Sequence, residues 1–325
     1  MTEQHHLDFQ EALQRLSRSQ KIEWPAPGAD IPHGDMPGDR IEINGSHIRK
    51  AQAILPVLLP LLDEALESSP VSRAVIGVCG GSGVGKSETA SLLAYYLGAL
   101  GIHAYILSGD NYPHRYPEHN DAERLSVYRE GAVKGLLHSG LAGEDTYRTL
   151  MQMQKDGIDC DPAQAENRPW LLAYQQKGTE ALENYLGSEA EQDFKLLDEI
   201  LAQFRSGADS IWLKRMGRTQ SDLWFEKVDF SAVNVLIIEW THASSSSYSG
   251  PDIPVLLYST PAETAEHRRQ RSRDKGTDSP FTSLVLSLEQ QELDLDARKA
   301  KIIISKSGSI LSFKDYMKII SEENA

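Results

Sequence analysis

Arg73-Ala-Val-Ile-Gly-Val-Cys79 leads without a break into Gly80-Gly-Ser-Gly-Val-Gly85-Lys86-Ser87. The first half is short, apolar and rich in β-branched residues, the composition of a strand buried on both faces. The second half fits G-x-x-x-x-G-K-[ST] at every position. Its glycines allow backbone conformations that turn successive N–H groups towards phosphate oxygens. Ser87 to Leu100 reads as a helix stopped by Gly98 and Gly101, so the loop sits between strand and helix, where the helix N-terminus adds partial positive charge. The stretch predicts a triphosphate cradle made of Gly80, Gly81, Ser82, Gly83, Val84, Gly85, Lys86, Ser87 and Glu88. Lys86 is expected to reach the β- and γ-phosphates, and the Ser87 hydroxyl to bind Mg2+.

Strand-like runs recur on the C-terminal side. Ile102 to Leu107 ends in Ser108-Gly-Asp-Asn-Tyr112; Val233 to Ile238, Ile253 to Tyr258 and Lys301 to Ser305 follow, the last ahead of a terminal helix. Alternation of such runs with helices predicts an α/β fold with a doubly wound parallel sheet. Asp121 to Phe204 has a helical pattern, with Leu125, Tyr128, Ala132 and Leu136 on one face. Ser188 and Glu191 read as a capping box ahead of the stripe Phe194, Leu197, Leu201 and Phe204. Ile211 to Arg215 and Leu223 to Phe230 read as a hairpin. Before the loop come a first helix at Leu7 to Leu16, a Pro/Gly-rich stretch from Trp24 to Gly38, a short strand at Ile41 to Asn44, and a helix from Ile48 to Leu66 that Ser69-Pro70 closes. The expected organisation is an N-terminal helical arm over 1–70 and a phosphate-loop domain over 71–325.

Composition limits the function. Of 325 residues, 33 are Lys or Arg and 47 are Asp or Glu, a net charge of −14 that argues against a phosphate backbone as partner. Two cysteines, Cys79 and Cys160, cannot build a disulfide framework; they read as buried small hydrophobes of a reducing cytoplasm. The mixed-charge N-terminal stretch is not a secretory signal. The longest apolar run, Ala53 to Leu62, carries Pro56 and Pro60 and is about half a membrane span. The expectation is a cytoplasmic protein that binds neither nucleic acid nor membrane, with a homodimer left open. No Asn-Lys-x-Asp guanine reader and no Leu-Ser-Gly-Gly-Gln transporter signature occurs.

Three further groups carry chemistry. Asp110 follows the second strand, where a carboxylate can face the γ-phosphate across the switch-point crevice. Glu239 ends the apolar run Val233-Asn-Val-Leu-Ile-Ile and is followed by Trp240, Thr241 and His242; an acid there suits Mg2+, a hard cation. Arg268, Arg269, Arg271 and Arg273 crowd into six residues of an acidic chain, a pattern suited to bidentate contacts with phosphate. These features resemble the uridine kinase, phosphoribulokinase and pantothenate kinase branch of P-loop kinases. In that light Asp110 is the base for the attacking hydroxyl, and Glu239 orients substrate or holds Mg2+ with Ser87. Thr260-Pro261-Ala262 starts a helix, and residues 264–282 form a lid whose Arg269 and Arg273 face the phosphates. The resemblance covers about residues 72–320, but Asp110 and Glu239 are separated by 128 residues, a longer interval than the branch carries. In the branch a substrate-gripping hairpin lies there, which places a helical and hairpin insert over about 113–230 and assigns Trp212, Lys214, Arg215, Arg218 and Trp224 to the grip. His114 and Arg115 are candidate substrate contacts.

The expected activity is transfer of the γ-phosphoryl of Mg-ATP to a hydroxyl of a small polar metabolite: a sugar, a polyol, a nucleoside or adenylyl sulfate. Catalytic residues are Asp110, Lys86, Glu239, Arg269 and Arg273, and the hairpin cations favour an anionic acceptor. The competing reading is a nucleotide-responsive regulatory or partner-binding protein that hydrolyses ATP slowly.

Overall fold

The computed structural model describes residues 8–28, 30–217, 219, 221–260, 263–264 and 279–323. One compact unit comprises Met1–Tyr112, Phe194–Thr260 and Leu293–Ala325; the second comprises Pro113–Asp193 and Pro261–Glu292.

A six-stranded sheet builds the first unit. Strands β1 (Ala74–Gly80), β2 (Ala104–Ser108), β5 (Val235–Glu239), β6 (Ile253–Leu257) and β7 (Ile302–Ile304) are parallel, and β8 (Ile310–Leu311) runs antiparallel to β7. The order β2-β5-β1-β6-β7-β8 puts β1 where the chain turns to either side, so the loop leaving β1 opens at a topological switch point. The two-residue β8 has no counterpart in the sequence expectations, being too short for a periodic signal.

Both faces of the sheet are covered, as continuous apolar runs require. Ala74, Ile76 and Val78 of β1 pack with helices α2 (Gly45–Ser68) and α3 (Lys86–Ala99); Val75 and Cys79, alternating to the other face, pack with α7 (Phe194–Arg205) and the hairpin strand β3 (Ser210–Met216). Helix α2 buries Ile54, Leu55, Leu58, Leu59 and Leu62 in that first core. Pro56 and Pro60 lie four residues apart on its exposed side, where water can take the carbonyls they leave unbonded. A shorter helix, α1 (Phe9–Ser17), is capped by the Asp8 side chain. β3 pairs with β4 (Leu223–Asp229) as the expected antiparallel hairpin.

Two local expectations are corrected. Ile41 to Asn44 pairs with no strand among the described residues; the extended backbone instead delivers Asn44 as the N-cap of α2, its side chain accepting from the amides of Ser46 and His47. Ser188 and Glu191 do not cap a helix. Gly187 adopts φ +60° and the chain turns, and the Glu191 carboxylate accepts from the Gly187 amide and pairs with Arg124. Helix α7 begins only at Phe194.

In the second unit, α4 (Pro117–His138), α5 (Glu144–Asp156), α6 (Pro169–Tyr185) and part of α8 (Pro280–Asp296) enclose a core of Tyr128, Leu136, Leu171, Tyr174 and Leu182, with Val285 and Leu288 from α8. α4 and α6 approach closely at glycines. A Cβ on Gly131 would stand 2.3 Å from that of Ala181, and one on Gly178 would stand 2.6 Å from the Tyr128 ring. Asp159, buried beside them, accepts from the Tyr174 hydroxyl and pairs with Arg129. Among the described residues no helix is long and apolar enough to cross a membrane.

Candidate functional site

The glycine loop adopts the conformation its composition allows. Gly80, Gly83 and Gly85 have φ of +149°, +78° and +94°, and a Cβ on Gly80 would stand 2.5 Å from the Leu257 carbonyl. Helix α3 starts at Lys86, which directs the first amides of the helix at the loop. Lys86 Nζ donates to the carbonyls of Gly80 and Gly81 at 3.0 and 3.1 Å. Gly81, Ser82 and Gly83 are half-buried, whereas Val84 and Glu88 are buried beneath the loop.

From outside, α2 holds this loop. Buried Lys50 donates to the Val84 carbonyl at 3.1 Å, and the His47 ring would lie 3.1 Å from a Cβ on Gly85. Neither residue belongs to a motif, and nothing in the helical periodicity marks them out.

Register brings the acids to the loop. Glu239 ends β5 and pairs across to Val78 of β1 and to Ser108 of β2, at the same edge of the sheet. Its two oxygens accept from the hydroxyls of Ser87 at 3.1 Å and Ser108 at 3.0 Å. Burial raises the Glu239 carboxyl to about 8, and the charge of Asp110 adds to the rise while Lys86 opposes it. A buried carboxylate joined to the loop hydroxyl is a pair of hard oxygen donors of the kind Mg2+ takes. Among the described residues no cluster of three His, Cys, Asp or Glu side chains could hold a metal alone.

Asp110 is exposed on a single turn of 3-10 helix (Gly109–Asn111) at the end of β2. Gly109 is required there, because a Cβ would fall 2.0 Å from Cγ of Trp240. Trp240 itself is buried against Phe194 and the ring of His242, so it packs the turn that carries Asp110. His114 bonds to the Glu189 carbonyl and Arg115 to Glu123, both on exposed positions of the second unit.

On the hairpin, Trp212 and Trp224 are exposed, Lys214 is buried, and Arg218 lies outside the described residues. Buried Arg215 pairs with Glu226 at 3.0 Å and with Asp35 at 2.8 Å. Asp35 comes from the Pro/Gly-rich stretch and was not singled out by sequence reasoning; composition marks that stretch only as a loop. The lid arginines Arg268, Arg269, Arg271 and Arg273 and the helix start at Pro261 and Ala262 lie outside the described residues.

The switch-point strand, its glycine loop, the helix that follows and the acids at nearby strand ends make a phosphate-binding loop at the switch point of a parallel α/β sheet. No family model matches the chain. Over 239 residues, 74% of its length, it is 38% identical to the bifunctional alpha-galactosidase/sucrose kinase AgaSK of Mediterraneibacter gnavus, and it spans 21% of that protein. It is similar to the solved structure of D-glycerate 3-kinase from Cryptococcus neoformans var. grubii serotype A, at 13% identity and TM-score 0.40 over 81% of this chain and 97% of that one. The YGR205w protein gives 12% identity and TM-score 0.43 over 80% and 96%.

Proposed function

We propose that the chain is an ATP-dependent phosphotransferase that moves a γ-phosphoryl group to a hydroxyl of an uncharged sugar. The observation that carries this reading is the placement of Asp110 and Glu239 at the ends of adjacent strands, with Glu239 bonded to Ser87 of the phosphate loop. The loop amides and Lys86 bind the β- and γ-phosphates. Asp110, open to solvent, accepts the proton of the attacking hydroxyl. Ser87 and Glu239 are the residues that would hold Mg2+, which would neutralise phosphate charge when bound with the nucleotide. Arg269 and Arg273, assigned from the sequence alone, bind the transferring group.

Charge at the described part of the hairpin supports an uncharged acceptor. Arg215, one of the hairpin cations, is engaged by two carboxylates and so offers no free charge to an anionic acceptor. Exposed Asp110 instead presents oxygens suited to a hydroxyl group. The relative named a sucrose kinase points the same way, and sucrose is the first acceptor to try.

The test is ADP release from Mg-ATP with sucrose, other neutral sugars, D-glycerate and uridine in turn. A neutral sugar is expected to raise the rate most. Release that no acceptor raises would instead identify a regulatory ATPase, and preference for D-glycerate would overturn the charge argument.

A further inference from the structure

Asp35 lies in a loop without secondary structure, yet its carboxylate is only 8% exposed and ties three segments together. Oδ1 accepts from the Ser108 amide at 2.8 Å and from Asn111 Nδ2 at 3.0 Å. Oδ2 accepts from the Tyr105 hydroxyl at 3.0 Å and from Arg215 Nη1 at 2.8 Å. The ring of contacts closes on itself: Arg215 Nη2 donates to the Tyr105 hydroxyl at 2.8 Å, and the Met216 amide donates to Asn111 Oδ1 at 2.9 Å. Ser108 and Asn111 flank Gly109 and Asp110, so one carboxylate grips both ends of the turn that presents Asp110. The same loop approaches the second acid, since a Cβ on Gly34 would stand 3.9 Å from Glu239 Oε1.

Burying a carboxylate costs several kcal/mol unless it is paired and fully hydrogen-bonded. Here four donors meet it, and burial still holds the Asp35 carboxyl above its ordinary value against the pull of Arg215. Four donors drawn from β2, the turn after it and β3 form a clasp that a surface loop does not need for its own stability.

We propose that Asp35 is a positioning residue for phosphoryl transfer, and that the N-terminal loop around it is a working part of the site. Asp35 sets Asp110 by gripping the residues on either side of it, and it joins that turn to the hairpin through Arg215. The proposal rests on the kinase reading for its chemistry, while the clasp itself can be tested without turnover.

Asp35→Asn keeps the shape and removes the charge. Steady-state kinetics with the best neutral sugar should show kcat lowered about 10- to 100-fold, as small displacements of a reacting group do. The KM for ATP and the ATP-induced rise in melting temperature should stay within about two-fold and two degrees of the parent protein. Amide exchange should quicken at residues 108–112 and 215–216 and not at residues 80–88. Tyr105→Phe, which removes one hydroxyl from the ring of contacts and keeps the packing, should give a smaller change of the same kind; it decides the matter if Asp35→Asn does not fold. Unchanged exchange at 108–112 overturns the clasp whatever the activity. Quickened exchange with unchanged kcat overturns the positioning role. A parent protein that turns over no acceptor sinks the kinase reading, and the exchange data then still decide the clasp.

Discussion

Lys86 donates to two carbonyls of its own loop, Gly80 and Gly81, contacts that hold only a short surface turn. Lys86→Ala should therefore melt within a few degrees of the parent protein and lose both turnover and the stabilisation that Mg-ATP confers; unchanged stabilisation by ATP would remove Lys86 from the cradle. Glu239 is the opposite case, a buried acid whose charge is costly to the folded state. Its carboxyl titrates at about 8 in the folded chain against an ordinary 4.5, so the folded state binds the proton more tightly. Stability from this group is fully present below about pH 4.5 and is lost as pH rises towards 8. Glu239→Gln carries no such loss. Its melting temperature, measured without nucleotide, should gain on the parent as pH rises from 5 to 8.5, while turnover falls by about 10²-fold or more. A difference in melting that does not change with pH would contradict the burial account. Asp110→Asn should bind ATP normally and lose about 10²-fold in kcat, read from ATP titration and single-turnover transfer on one preparation.

Elements set these residues through close contacts that leave no room for a side chain. The turn after β2 fits because Gly109 lets the backbone lie on Trp240. In Gly109→Ala the added methyl, 2.0 Å from a rigid indole, must push the turn away. The expected outcome is at least a ten-fold loss of kcat with ATP binding kept. Full activity would mean that the turn has slack. In the second unit, Gly178→Ala forces α6 away from Tyr128 of α4 and should cost about 1–3 kcal/mol, measured as a lowered urea midpoint. In the sequence each of these glycines is a helix-interior or turn glycine like others that face open space, such as Gly98. Only the opposing helix or ring distinguishes them. The expected strand at Ile41 to Asn44 shows the same limit, since a strand needs a neighbour to pair with and four residues cannot name one.

For the whole molecule, α2 belongs to the core it covers, with Leu58 and Leu59 fully buried among β-strand and α3 side chains. Leu58→Ala should cost about 2–5 kcal/mol, a deep-core loss and not that of a loose appendage; a loss under about 1 kcal/mol would contradict this. Much of the architecture is legible in sequence because it depends on local chemistry. Residues 73–87 contain a buried strand, a glycine loop and a helix start in one continuous stretch, and each part is specified by neighbours along the chain. Asp110 and Glu239 could be picked out because each lies at the C-terminal end of an apolar strand, where a parallel α/β sheet opens its crevice. Asp35, Tyr105, Arg215, Lys50 and His47 could not. Asp35 and Arg215 stand 180 positions apart, and a hydrogen bond between them has no periodicity to betray it. The sequence by itself determined that a phosphate loop would end one strand of a parallel sheet and that acids would lie at the ends of two other strands. Only the tertiary structure decided that Arg215 would be neutralised and that an N-terminal carboxylate would grip the turn bearing Asp110, because those contacts exist only once distant segments are packed together out of water.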